Sequence, residues 1–360
     1  MKRFLVLLLI LCAVGLPARS APAPDRVAVL KRGLNITGWF RFPSSRDPAA
    51  LRQWLSDAAI KDIAAAGFTF VRLATDPAVL ETPAIRDVWF EQIRRLQRAG
   101  LGVMISPHPV GWKIDTSVAD QARLEAFWRG IGPSLKALPP RLTFAELLNE
   151  PVFRADPPAW WRLQRRLLTA VRAALPAHTI VLTGQDWGGI GGLLTLPPEP
   201  DGNVVYSFHF YDPPELTSLA AYRPGLDRAA LARLAFPSAE PARCELAAGS
   251  GDTATRDLIR FYCATGQDEA KIRARLTQAA DWAARNKTVL VAGEFGASAA
   301  LNPAARMAWL NLVRETCEAA GIGWALWGYD DVMGFNISRP PPPRPVLDRS
   351  LRGALGLAAR

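Results

Sequence analysis

The sequence predicts an α/β chain folded as a (β/α)₈ barrel. From Leu30 onward, short apolar runs alternate with longer amphipathic ones, the pattern of βαβ units around a parallel sheet. The apolar runs are continuous, as strands covered on both faces are. A third observation is size: the 360 residues accommodate a barrel, which by itself uses about 250. Hydrophobic residues at 49% against 21% charged are ordinary globular values, so a sizeable core is expected and general disorder is not.

Eight strands are read in order: Gly33–Gly38, Phe68–Ala74, Leu101–Pro107, Leu142–Leu148, Thr179–Thr183, Val204–Phe210, Val289–Gly293 and Gly323–Trp327. Helical patterns fill the gaps at 49–65, 85–99, 119–137, 158–174, 268–286 and 303–320, with a last one near 346–358. Gly67 and Gly100 stand where helices end before a strand. Between strands 5 and 6 the stretch 188–202 is short and Gly-rich, so its helix is expected to be missing or degenerate. The stretch 212–267 is long for a loop and reads as an elaborated connection in the cleft wall. The run Pro340–Pro343 with Pro345 reads as a stiff connection before the final helix.

Residues 1–20 read as a secretory signal: Lys2 and Arg3, then the apolar run Phe4–Val14, then the small residues Ala18 and Ser20 before a cleavage point near Ala21. That run is too short to span about 30 Å of hydrocarbon, so no stable membrane insertion is expected. Residues 21–360 then form one catalytic barrel domain with the elaborated loop 212–267, secreted or periplasmic. The formal charge of +10 drops to +7 without Lys2, Arg3 and Arg19. The remaining arginines are spread over helices such as 161–172 and 271–285, whereas a nucleic-acid binder concentrates them in a stripe; no nucleic-acid partner is expected. Of the cysteines left, Cys244 and Cys263 flank one loop-like stretch and are the expected pair, since export permits disulfides. Cys317 sits in an apolar helical pattern and is expected to be a buried thiol. The spacings match no zinc motif, and no cofactor or metal is expected.

In such a barrel the C-terminal strand ends face the active site. Those ends carry Arg72, His108, Asn149-Glu150-Pro151, His209-Phe210-Tyr211, Gly293-Glu294-Phe295-Gly296 and Trp327. Glu150 and Glu294 each follow an apolar run, where a carboxylate is costly unless satisfied. Strands 4 and 7 lie nearly opposite, so the two acids can face each other across the mouth. Retaining glycoside hydrolysis needs two carboxyl groups about 5–5.5 Å apart, one to protonate the leaving oxygen and one to attack the anomeric carbon. Arg72 is expected to keep the nucleophile ionised, Tyr211 to donate to the same group and Asn149 to bind the sugar 2-hydroxyl. His108 and His209 are expected to bind hydroxyls or tune the acids; His178, before strand 5, is expected to be structural. Trp39, Trp112, Trp187 and Trp327 follow strands and offer flat faces to sugar rings, with Trp327 the foremost candidate for the floor of the cleaved-sugar subsite.

These residues in this order resemble glycoside hydrolase family 5, the cellulase family, from Gly33-Leu34-Asn35 to the Trp327 strand. The family's N-E-P motif stands as Asn149-Glu150-Pro151, which implies that Glu150 is the acid/base. Its strand-7 glutamate stands as Glu294, which implies the nucleophile. Arg72, His108, the pair His209 and Tyr211, and Trp327 match the family's remaining positions. The resemblance implies a retaining β-glycosidase, first of all an endo-β-1,4-glucanase acting on a β-linked glucan by double displacement. A β-mannanase or an exo-acting β-glucanase or β-glucosidase is the alternative within the family. A metal-dependent hydrolase using His108 and His209 lacks an H-x-H or H-E-x-x-H grouping. A non-catalytic sugar-binding barrel is disfavoured by acids at both catalytic positions. Oligomeric state is not read from the sequence.

Overall fold

The computed structural model describes residues 21–249 and 252–358; the signal read at 1–20 lies outside them. Eight parallel strands close in chain order into a barrel: β1 (Arg32–Phe40), β2 (Phe70–Thr75), β3 (Gly102–Pro107), β4 (Thr143–Glu146), β5 (Thr179–Thr183), β6 (Val204–Phe210), β7 (Val289–Phe295) and β8 (Gly323–Leu326). β8 pairs back onto β1 through Gly33 and Ala325. The long outer helices run Pro83–Arg98, Val118–Lys136, Pro157–Ala174, Glu269–Asn286 and Pro303–Ala319, close to the periodicity that predicts them.

The strand interior divides into two ends of different character. Phe70, Met104, Phe144, Val181, Val205 and Val291 pack together as an apolar plug, closed by Val29 and Leu30, which come from and directly follow the short helix Pro24–Val29. The opposite end holds buried polar groups, among them Asn35, Arg72, Glu146, His209 and Glu294. One end is thus filled by apolar side chains, and the buried polar groups that can do chemistry gather at the mouth.

Three departures from the sequence reading have local causes. The pattern at 49–65 is two helices, Pro48–Gln53 and Asp57–Ala66, because Ser56 starts a second one by accepting from the Ala59 N–H. The β5–β6 helix shrinks to Ile190–Leu194; the Gly-rich chain folds so tightly there that a Cβ on Gly192 would lie 1.8 Å from the Gln185 carbonyl oxygen. Trp39 is the third. β1 runs two residues beyond its predicted end, and its register with β2 shifts between Ile36 and Phe40. The Trp39 indole is fully buried, stacked on Trp54 at 5.3 Å, and its Nε1–H donates to the Leu51 carbonyl. The expectation that Trp39 binds substrate is therefore corrected: it is a core residue.

Among its described residues the connection 212–267 contains four helices, Pro214–Thr217, Arg228–Leu231, Pro241–Ala248 and Thr253–Thr265. It is tied to the barrel by backbone bonds from Ser298 to Thr217 and from Asn302 to Ala232. Cys244 and Cys263, 19 positions apart, form a disulfide between its last two helices, and Cys317 is a buried free thiol. Replacing both paired cysteines by serine is expected to lower the unfolding free energy by about 3 kcal/mol, the loop-closure contribution for a ring of this size. Urea melts read the difference; superimposable curves would mean that packing alone holds the helix pair.

Candidate active site

The site begins with a guanidinium that serves four acceptors. Arg72, central in β2, is completely buried. Its Nε donates to Glu146 Oε2 at 2.7 Å, Nη1 to Glu294 Oε1 at 2.6 Å and Asn35 Oδ1 at 2.9 Å, and Nη2 to Asn149 Oδ1 at 2.8 Å. A planar fork with fixed donor directions suits this arrangement in a way a lysine does not. Burial alone would lower its pKa, but Glu146 and Glu294 more than offset that and raise it above the ordinary value. Asn35 is itself fixed, its amide donating to the carbonyls of Gly293 and Leu326.

Glu294 is aimed by a defect in β7. The β6–β7 register shifts between Phe208 and His209, so that His209 stands opposite Glu294 and Gly293 is passed over, the signature of a bulge, which bends the strand and re-aims a side chain. A side chain at Gly293 would displace a neighbour: a Cβ would lie 2.4 Å from Ser207 Oγ. Glu294 Oε2 then accepts from the Tyr211 hydroxyl at 2.9 Å. Burial, followed by the nearby carboxylates, pushes Tyr211 well above its ordinary pKa, so it remains a donor.

Glu150 arrives differently. It follows β4 with a left-handed backbone, φ 43°, a conformation that costs a non-glycine residue about 1 kcal/mol or more and persists when surroundings over-determine it. The neighbouring backbone does so: Asn149 N–H donates to the Pro107 carbonyl and Trp187 N–H to the Pro151 carbonyl. His209 Nδ1 lies 3.0 Å from Glu150 Oε1 and 3.4 Å from Glu294 Oε2. One oxygen of each acid and a nitrogen of His209 all fall within 4.8 Å of one another.

These three groups titrate as a unit. Burial works against a charge on His209, but Glu294 and then Glu150 outweigh it and raise its pKa above 6.5. Burial raises Glu150, and the hydrogen bond and charge of His209 bring it below 4.5. The proton thus rests on the Glu150–His209 side. Burial raises Glu294 above 4.5, with His209 and Arg72 pulling against it and Glu150 pushing with it. Its two oxygens take direct donors from Arg72 and Tyr211, so it is the carboxylate equipped to hold the charge.

Of the remaining expected residues, His108, Asn149, Trp112 and Trp187 line the walls, with Trp327 against His108. His108 is buried and held neutral, its pKa well below 6.5 through burial and then the Arg72 charge. Its Nε2 meets Ser106 Oγ at 3.0 Å, and its ring stacks on Trp327 at 5.9 Å. Asn149, His108, Glu150, Trp112 and Trp187 line a cleft of about 420 Å³. Trp187 is 45% exposed, whereas Trp112 packs partly against the core. A larger groove, about 920 Å³, lies outside the barrel between helices Val118–Lys136 and Pro157–Ala174; no strand-end acid lines it.

Four residues escaped the sequence reading: Asn35, Ser106 and Glu146 of this constellation, and Arg41, which lines the same cleft. Glu146 was detectable, because a carboxylate inside the apolar run Leu142–Leu148 demands a partner. Glu146→Leu is expected to lower the unfolding free energy by about 3–5 kcal/mol, since it leaves Arg72 in the interior without one counter-charge. Differential scanning calorimetry measures this; an unaltered melting profile would remove Glu146 from the network.

Comparison with known proteins follows the same lines. The family model of cellulase, glycosyl hydrolase family 5, matches residues 32–331. Endoglucanase 3 of Fibrobacter succinogenes is 29% identical over 212 residues, which are 56% of this chain and 32% of that longer protein. Endoglucanase C of Acetivibrio thermocellus is 24% identical over 331 residues, covering 86% of this chain and 95% of that one. The crystal structure of endoglucanase Cel5A from Thermotoga maritima superposes with a TM-score of 0.73 at 24% identity, over 92% of this chain and 98% of that one.

Proposed function

Because the chain belongs to glycosyl hydrolase family 5, the cellulase family, and is therefore a glycosidase, we propose that it is a retaining endo-β-1,4-glucanase with Glu294 as nucleophile and Glu150 as acid/base. The observation that carries this reading is the short separation of the two acids: oxygens of Glu150 and Glu294 lie within 4.8 Å. Inverting enzymes hold their carboxyl groups about 6.5–9.5 Å apart to admit a water between them.

The chemistry follows from the hydrogen bonds. Glu294 attacks the anomeric carbon as the bond to the leaving oxygen breaks, and the proton held between Glu150 and His209 passes through Glu150 to that oxygen. Water then enters, Glu150 takes back a proton, and the new bond to the anomeric carbon releases Glu294. Arg72 and Tyr211 hold Glu294 in line throughout. Trp327, stacked on neutral His108, supplies an apolar face for the sugar, and Asn149, whose Oδ1 is held by Arg72, lines the cleft beside Glu150 with its amide N–H available to a sugar hydroxyl. A panel of soluble β-glucans and β-mannans tests the substrate: mid-chain cleavage of the β-1,4-glucan is expected, and release of single sugars from chain ends, or a preference for mannan, would reassign it.

Export belongs to the same proposal. Its support is the signal pattern at 1–20 together with the Cys244–Cys263 disulfide, a bond that persists in oxidising compartments. N-terminal sequencing of protein recovered outside the cytoplasm should begin near Ala21; intact Met1 on that protein would refute cleavage.

A further inference from the structure

One wall of the cleft carries a charge that the mechanism above does not use. Arg41, immediately past β1, lines the cleft beside His108, Asn149 and Glu150. Its guanidinium stands 4.7 Å from the centre of the Phe42 ring and 5.8 Å from that of Trp327. Its Nε is buried with no hydrogen-bond partner, and among the described residues no carboxylate forms an ion pair with it. Burial outweighs the more distant Glu294, Glu150 and Asp331, so the guanidinium is left below its ordinary pKa.

The arrangement recurs along the cleft. Arg154 stands 4.7 Å from the Trp187 ring centre and likewise has no carboxylate partner among the described residues. Arg123 lies 4.2 Å from the Trp112 ring centre but is paired with Glu81. Two of the three aromatic platforms therefore carry a cation with no ion-pair partner among the described residues. Arg154 is exposed and solvated, whereas Arg41 is half-buried, and a guanidinium held partly out of water without a counter-ion is costly. A sugar hydroxyl relieves little of that cost, whereas a carboxylate or phosphate presents the two oxygens that a planar fork binds in parallel.

Resting on the glycosidase reading, we propose that Arg41, assisted by Arg154, selects β-glucan chains bearing anionic oxygen substituents, carboxylate or phosphate ester, near the cleavage point. The unsubstituted chain leaves both guanidinium groups unpaired. Arg41 is the specificity determinant because it is the one of the two that lines the cleft with Glu150 and also stands over Trp327.

The test compares kcat/KM on hydroxyethyl, carboxymethyl and phosphorylated β-1,4-glucans of matched length and substitution, for the wild type, Arg41→Met and Arg154→Met. At low ionic strength the wild type should favour an anionic chain by about tenfold, the range of one charge-assisted bidentate contact. The preference should fall toward unity in Arg41→Met, fall less in Arg154→Met, and shrink in about 0.5 M salt, where screening is short-ranged. This ratio does not depend on how much of a variant is folded, because both rates scale with the active fraction. A gain on either anionic chain supports the proposal, and the larger gain names the group. Equal or slower turnover of the anionic chains by the wild type, or a preference that survives Arg41→Met, overturns it. Calorimetric binding of the corresponding oligosaccharides to Glu150→Gln separates the two levels. Selective binding without any wild-type hydrolysis sinks the glycosidase reading and leaves Arg41 assigned; hydrolysis without selectivity does the reverse.

Discussion

Glu294→Ala is expected to reduce hydrolysis of an aryl β-glycoside by on the order of 10⁴–10⁶-fold, the scale on which a nucleophile acting within a catalytic unit is lost. The substitution removes the acceptor of both the Arg72 and Tyr211 hydrogen bonds and leaves a gap beside the anomeric carbon. Azide, small and anionic, fits that gap and meets the same two donors. It should restore turnover and form a glycosyl azide of inverted configuration, because it attacks once where the wild type reacts twice. Proton NMR of the product decides the matter. Rescue that instead yields a retained product, or activity near the wild-type level, would remove Glu294 from the nucleophile position.

Glu150→Gln is expected to lower kcat/KM on cello-oligosaccharides by about 10²–10⁴-fold, the usual contribution of a positioned general acid. The loss should be much smaller on a dinitrophenyl glycoside, whose leaving group needs no proton to depart, and the covalent intermediate should then accumulate. The pH profile provides a second reading. Glu294 must be ionised, and its pKa is raised above 4.5 by burial against the pull of His209 and Arg72, so activity should be lost on acidification through a limb above 4.5. The deliverable proton belongs to the Glu150–His209 pair. His209 resists burial through Glu294 and Glu150 and sits above 6.5, so activity should be lost on alkalinisation through a limb above 6.5. In Glu150→Gln the alkaline limb should vanish on the dinitrophenyl substrate while the acid limb stays. Persistence of both limbs would place the acid elsewhere.

Most of the barrel and most of the site are visible in the linear chain, for a common reason. A buried parallel strand must be apolar along its length, and the active end must begin where that run stops; a polar residue at the stop is thereby marked. Asn149, Glu150 and Tyr211 follow their strands, His209 and Glu294 are next to last in theirs, and Arg72 lies within β2; the fold brings all six into one hydrogen-bonded group. Residues that broke the rule were harder to read. Trp39 sits at an apparent stop, but β1 continues past it and its indole turns into the helix layer. Asn35 lies inside β1 and Glu146 ends β4 within an apolar run, and both are satisfied only by partners from other strands, Arg72 for both and the Gly293 and Leu326 carbonyls for Asn35. Arg41 follows β1 without any pattern of its own; its meaning depends on Phe42 and on Trp327, nearly three hundred positions away.

The order of apolar runs, helix-ending glycines and strand-end residues is enough to specify a (β/α)₈ barrel with two glutamates at one end, because periodicity and burial act over neighbours in the chain. Which carboxylate holds the proton, how the Gly293 bulge aims Glu294, and which arginines remain without a counter-charge are decided only when distant segments meet. Those properties come from distances across the barrel mouth, and electrostatic energies at 3–5 Å depend on contacts that chain order does not encode.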